Sequence, residues 1–273
     1  MSDALNTLVG LLGLENLEEN LFRGHSQDLG LPQLFGGQVL GQALSAASQT
    51  VDSGRRAHSL HGYFLRPGDP HLPVVYQVDA VRDGGSFTTR RVTAIQKGRP
   101  IFFCSASFHG EESGFDHQTA MPDVATPEAL TESARLVRFD SHPIEFLLDS
   151  QEWEAGQPAR KRVWFRLAGD LPEDPVLHRY LLAYSSDFNL LTTTLVPHDL
   201  DYRDPGLQIA SLDHALWFHH DTRVNDWLLY DMDCPWTGSA RGFARGTIYD
   251  RHGRLVASSA QEGLTRRREA IKE

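Results

Sequence analysis

Apolar residues recur along this chain with two different periods, and the switches between them divide it into elements. Leu5, Leu8, Leu11 and Leu12 recur at helical spacing within residues 3–14 and predict a short amphipathic helix. The Gly-rich Phe35-Gly36-Gly37-Gln38 opens a second helix, VLGQALSAASQTV, whose Gly41, Ala43, Ala46 and Ala47 are small enough for a sheet to close around it. From His58 to His109 the text turns strand-like: HSLHGYFLRPG, LPVVYQVDAVRDG, SFTTRRVTAIQKG and RPIFFCSASFH, with turn residues between them and a hairpin turn at Lys97-Gly98. Residues 110–160 are rich in Glu, Ser, Pro and Asp, sustain no period, and read as a connecting segment with local helix. Strand-like text resumes at RVWFRLA (162–168) and is followed by DPVLHRYLLAYSSDFNLLTTTL, residues 174–195. There Asp174 can cap a helix and Pro175 can occupy its first turn. Wound at about 100° per residue, Leu177, Leu181, Tyr184, Phe188, Leu191 and Leu195 form one stripe, with Asp187 on its shoulder. GLQIASLDHALWFHH, DWLLYDMDCPW, SARGFARGTIYDRHG and RLVASSAQEG complete a second set of strands.

The two sets are related. QKGRPIFFCSASF (96–108) aligns with RHGRLVASSAQEG (251–263) at an offset of 155, SFTTRRVTAI matches RGFARGTIYD, and Tyr63-Phe64 matches Trp217-Phe218 at 154. A period of this length indicates a duplicated domain, since solenoid repeats are far shorter. The expected fold is therefore α+β, with two helix-plus-antiparallel-meander repeats in one chain. A helix of small and apolar residues cradled by a curved antiparallel sheet is the hotdog arrangement, so the chain reads as a double hotdog. The expected units are 1–115, a connecting segment 116–160, and 161–273, the last carrying the candidate catalytic residues.

Composition narrows the function. With 273 residues, 40% hydrophobic and 23% charged, the chain can bury a large core and is not disordered. A net charge of −10 without a sizeable basic block argues against nucleic acid as partner. Cys104 and Cys234 lie far apart in apolar runs, as suits reduced buried thiols in a cytoplasmic protein. No segment approaches the roughly 20 apolar residues of a membrane span, and no leader pattern precedes the first helix.

Several stretches, in order, resemble the acyl-CoA thioesterase II family of double-hotdog enzymes: FRGHSQDLGLPQLFGGQVLGQAL, HSLHGYFLRPGDP, RDGGSFTTRRVTAIQKGRPIFFCSASF, MPD, YLLAYSSDFN, LDHALWFHH and ARGFARGTIY…LVASSAQEG. The resemblance covers nearly the whole chain and is weakest between 123 and 160. It implies hydrolysis of a fatty acyl-CoA, without metal or other cofactor, by an Asp on the second hotdog helix, a Ser or Thr on the next strand and a Gln late in the last strand. At the matching positions stand Asp187, Ser211 and Gln261. These residue types suit direct attack by water: a carboxylate accepts its proton, while a hydroxyl and an amide hold water and carboxylate in register. The amides at the Gly36-Gly37-Gln38 helix start are candidate oxyanion donors.

Of the thirteen histidines, His58 and His61 stand three apart on a strand and His219 and His220 one apart. Plain alternation sends each pair to opposite faces and argues against a metal site. His58 and His61 begin the aromatic strand that members of the resembled family carry near the pocket, so the resemblance makes either, and His58 first, a candidate for shaping the substrate pocket. The phosphates of an acyl-CoA partner need local positive charge, for which Arg55, Arg56, Arg66, Arg90, Arg91 and the Arg266-Arg267-Arg268 run are available. Two alternatives stand beside hydrolysis: a hotdog enoyl-CoA hydratase or dehydratase using Asp213 and His214, and a non-catalytic acyl-CoA binding module. The family resemblance and unpaired meander edges further imply a homo-oligomer, dimer or tetramer.

Overall fold

The computed structural model describes residues 3–132, 136–139 and 142–267. In the first half lie α1 (Asp3–Leu12), β1 (Glu15–Glu18), β2 (Leu21–Gly24), α2 (Gly36–Ser48), β3 (Arg56–Phe64), β4 (Val74–Asp83), β5 (Phe87–Gln96) and β6 (Arg99–His109). Then come α3 (Pro127–Glu132), β7 (Leu136–Val137), β8 (Ile144–Glu152), β9 (Ala159–Leu167), α4 (Pro175–Ser185) and a 3-10 helix, Leu191–His198. The described residues end in β10 (Leu207–Ser211), β11 (Asp213–Phe218), β12 (Leu228–Gly238), β13 (Arg241–Asp250) and β14 (Leu255–Arg267).

All fourteen strands form one antiparallel sheet, in the order β1-β2-β4-β5-β6-β3-β11-β14-β13-β12-β9-β8-β7, with β10 added onto β14. The halves join where β3 pairs with β11, Gly62 opposite His214. The repeat read from the sequence is visible in this order, since β6 and β14 flank the junction and β5 and β13 follow outward. The fold is the expected double hotdog. Lys97 and Gly98 both adopt positive φ, 49° and 71°, the twist a two-residue hairpin turn demands.

The two central helices lie antiparallel in contact. A Cβ on Gly37 would stand 2.2 Å from Tyr184 O, and one on Gly41 would stand 3.1 Å from Tyr180 O. Glycines one turn apart thus let the backbones approach, and the C-terminal end of α4 is brought to the N-terminal end of α2.

The structure departs from the sequence reading in four places. Residues 116–160 are more than a connection, because β8 pairs with β9 and extends the second half of the sheet. Its buried Ile144, Glu145, Phe146 and Leu147 form a continuous run, not an alternation, and so carried no period-2 signal. The helix from Asp174, capped by its carboxylate accepting from Val176 N, stops at Ser185 and does not continue to Leu195. Asn189 takes a left-handed φ of 67°, its Oδ1 accepts from Lys161 Nζ, and the chain resumes as the 3-10 helix with Leu191 and Leu195 still buried. His58 and His61 share the outer face of the sheet: a bulge between Ala57 and Ser59 shifts the alternation, placing His58 against Ser107 and His61 opposite Ser105. Lastly, the edges are blunt. β1 is four exposed residues, two of them Glu, and β7 is only two residues long, so strand pairing at an open edge gives little reason to oligomerise.

Candidate active site

Asp187 lies two residues beyond the last residue of α4, in the turn that leads to the 3-10 helix, and not on the helix itself. Its side chain is 7% exposed. The antiparallel helix pair sets it at the start of α2, where the Gly37 backbone N–H donates to its carboxylate. A Cβ on Gly36 would come within 2.6 Å of Asp187 Oδ2. The carboxylate therefore sits at the positive end of α2, a placement that favours its charge. Burial acts against it and prevails, pushing the Asp187 pKa up to about 6 although the bonds from Gln261 and Gly37 pull it down.

Gln261, fully buried on β14, reaches across to both of the other predicted residues. Its Nε2 donates to Asp187 Oδ1 at 2.8 Å and to Ser211 Oγ at 2.9 Å. A carboxylate can only accept, which fixes the amide's orientation. The Ser211 oxygen accepts from Gln261, so its own O–H remains to be directed at a bound water or carbonyl. Residues 187, 211 and 261 are thus brought together as the sequence implied. Gln261 corresponds to Ala106 in the first repeat, and that half holds no equivalent amide.

Strand irregularity does the aiming. Ser211 pairs with Gly263 and Ala215 with Ala260, so four steps along the chain at Leu212 match three on β14. The extra residue turns Ser211 and His214 to the same, inner face. Asp213 points elsewhere and accepts from Glu262 N, so Asp213 and His214 do not form the dyad that a hydratase reading needs.

The remaining candidates are placed less favourably. The Gln38 side chain is tied to the 25–27 segment, donating to His25 O and accepting from Gln27 N, so only its backbone belongs to the helix start. His58 bonds Ser107 Oγ at 2.8 Å and packs edge-on against Phe87 on the outer face, away from Asp187. Arg90 is a strut: its five N–H groups are spent on Thr50 Oγ1 and O, Arg82 O, Thr89 O and Asp83, leaving none for a phosphate. Arg91 is exposed and paired with Asp79 at 2.7 Å. Arg268 lies outside the described residues, but Arg266 and Arg267 line a cleft with Arg241, His198 and Thr237.

A chain of ring contacts leads away from the carboxylate. Phe35 meets Phe188 at 4.4 Å, Phe188 meets His142 at 5.2 Å, and His142 meets Phe139 at 4.4 Å, where the surface is reached. Among the described residues, no group of three potential ligands is placed to hold a metal.

Comparison with known proteins agrees with this architecture. The acyl-CoA thioesterase family model matches residues 135–264, and the model of the acyl-CoA thioesterase N-terminal domain matches 26–109. Acyl-CoA thioesterase 2 of Haemophilus influenzae is 38% identical, over 97% of this chain and 99% of its own length. The chain belongs to the acyl-CoA thioesterase II family. Human acyl-coenzyme A thioesterase 8 is also 38% identical, over 96% of this chain and 90% of its own. The crystal structure of acyl-CoA thioesterase II TesB2 from Mycobacterium marinum superposes with a TM-score of 0.84 at 42% identity, covering 96% of this chain and 99% of that one.

One neighbour of this thioesterase's carboxylate escaped the sequence reading. The sequence presents His214 only as a partner of Asp213, yet its Nδ1 lies 3.9 Å from Asp187 Oδ1. The signal was the parity of the LDHALWF strand, which sends His214 inward with Leu216 and Phe218.

Proposed function

We propose that this acyl-CoA thioesterase cleaves fatty acyl-CoA to free fatty acid and CoA by direct attack of a water that Asp187 deprotonates. The observation that carries this is the triangle of Asp187, Gln261 and Ser211, joined by bonds of 2.8 and 2.9 Å and buried where two helix ends meet a strand bulge. A buried carboxylate with a pKa raised to about 6 is a stronger base than an ordinary one and is still ionised at neutral pH. Water held by the Ser211 hydroxyl gives a proton to Asp187 while its oxygen attacks the thioester carbon. Developing charge on the carbonyl oxygen is met by first-turn amides of α2. The acyl chain follows the ring seam from Phe35 and Phe188 toward Phe139, and the catalytic residues all belong to the second half, from residue 161 onward.

For the CoA end, the cleft of Arg241, Arg266 and Arg267 is favoured over the first-half arginines. The β10–β14 ladder leads to it from the triangle, Ser211 opposite Gly263 at one end and Leu207 opposite Arg267 at the other. Four residues of strand span about 13 Å, which an extended pantetheine arm can follow. Raising ionic strength is accordingly expected to raise KM for acyl-CoA esters with little change in kcat. An unchanged KM discards electrostatic capture by this cleft.

The direct test is thiol release across acyl chain lengths, monitored with a disulfide reagent, beside the loss or gain of enoyl absorbance. Thiol release with an unchanged enoyl band supports hydrolysis. An enoyl change without thiol indicates the hydratase, and ligand binding with neither indicates a binding module.

The same proposal places the protein in the cytoplasm, supported by two buried unpaired cysteines, and assembles it as a homo-oligomer. Support for assembly comes from the outer sheet face, where exposed Tyr63 and Phe103 stack at 5.7 Å, and not from strand edges. A light-scattering mass at a multiple of 30.6 kDa is expected, and the single-chain mass removes the idea.

A further inference from the structure

His214 has no part in the hydrolytic scheme above, yet one of its nitrogens is buried, unpartnered and aimed at the reacting carboxylate. The residue is 1% exposed on the inner face of β11. Its Nε2 stands 3.0 Å from Ser186 Oγ, which itself lies 2.9 Å from Ala183 O. A carbonyl oxygen only accepts, so the one hydroxyl proton of Ser186 goes to Ala183, and the Ser186 oxygen accepts from His214. The ring proton is thereby fixed on Nε2, and Nδ1 carries a lone pair. Nδ1 has no hydrogen-bond partner and faces Asp187 Oδ1 across 3.9 Å. Two lone pairs with no proton between them repel, which accounts for a gap longer than a hydrogen bond.

We propose that His214 Nδ1 is the acceptor for protonated Asp187, so that the proton taken from water is held in an Asp187 O–H···Nδ1 bond until sulfur leaves. The inference rests on the reading of Asp187 as the base. Gln261 and Ser211 stand on the Oδ1 side of the carboxylate, so a water held there delivers its proton to that oxygen. The water oxygen bonds to the thioester carbon, one water O–H bond breaks, and the carbonyl π pair moves to oxygen. On collapse the carbonyl re-forms, the C–S bond breaks with its pair going to sulfur, and the Asp187 proton passes to the thiolate. His214 stays neutral throughout, as burial pushes its pKa down to about 3. The other groups facing Asp187 are Tyr184 from α4, Tyr230 from β12, Ser211, Gln261 and the Gly37 amide. Both phenols are pushed upward by burial, so the acid limb of the activity profile follows Asp187.

Two isosteric variants separate this role from a structural one. His214→Gln keeps an N–H donor near Nε2 for Ser186 but has no acceptor at Nδ1, whereas His214→Asn keeps a polar atom at Nδ1 and loses the Ser186 bond. The Gln variant is expected to lose about 10- to 100-fold in kcat with KM unchanged. Its acid limb moves to lower pH, because protonated Asp187 has lost its stabilising acceptor; the Asn variant keeps the wild-type limb. A merely structural histidine gives the reverse order, and a Gln variant with wild-type kcat and pH profile overturns the proposal. If the Gln variant does not fold, ¹⁵N histidine shifts of the wild-type protein at pH 8 decide. The Nε2–H tautomer supports the assignment, and the Nδ1–H tautomer removes it. Asp187→Asn run in the same assay keeps the two readings apart. An active Asp187→Asn protein defeats Asp187 as base, while a dead one beside an unaltered His214→Gln defeats only the role of His214.

Discussion

Asp187→Asn is expected to lose at least about 10³-fold in thiol release and, at pH 8, to be more stable than the wild type. Both effects have one cause, a carboxylate kept where ionisation is disfavoured. Burial raises the Asp187 pKa from 3.8 to about 6, so the folded protein holds the proton more tightly than the unfolded chain does. Stability from this group is therefore fully present below 3.8, falls as pH rises toward about 6, and is absent above it. At pH 8 the ionised carboxylate costs the fold on the order of 3 kcal/mol. An Asn carbonyl carries no charge, although it serves only one of the two N–H donors from Gly37 and Gln261, so a net gain of about 1–2 kcal/mol is expected. Urea denaturation at pH 8 and at pH 4 checks this, with the gain present at the first and gone at the second. Wild-type activity falls on the acid side with a midpoint near 6, as one group protonates. Equal stability of the two proteins at pH 8 contradicts the strained-base account.

Gly37→Ala carries the largest expected loss of stability. The added Cβ would lie 2.2 Å from Tyr184 O and 2.4 Å from the Phe35 ring, and the first of these is backbone in a buried helix pair. The helices have to part, at a cost of about 3 kcal/mol or more, read as a lower urea midpoint. Gly36→Ala, one residue earlier, tests something different. Its Cβ would meet Asp187 Oδ2 at 2.6 Å and Phe64 at 3.0 Å, both movable side-chain atoms. That variant is expected to keep most of its stability and lose most of its kcat, because the carboxylate is pushed off the α2 amide. A Gly37→Ala protein as stable as the wild type shows that the close approach of α2 and α4 is not required.

Much of the site was legible because its parts sit on strongly patterned elements. The Leu stripe of 3–14, the small residues of α2 and the alternating runs of β4 to β6 read correctly, as did the repeat at an offset of 155, since each element buries a face that its own sequence marks. The buried strand β8 was not legible, because four consecutive buried residues, Ile144 to Leu147, look the same in a strand as in a short helix. Arg90 looked like a phosphate ligand because charge is visible in sequence and saturation is not; five bonds to Thr50, Arg82, Thr89 and Asp83 remove it from that role.

By itself the sequence determined which residue types are present and the duplicated helix-and-meander plan, because these depend on local period and order, and its motifs carried the resemblance to the family. Tertiary structure alone decided the chemistry of the site. The left-handed Asn189 ends the α4 region so that Asp187 faces the start of α2, and the extra residue at Leu212 turns Ser211 and His214 to one side. Burial then moves the carboxylate to about 6. Each of these depends on groups that meet only once the chain has folded, and no spacing along the sequence records them.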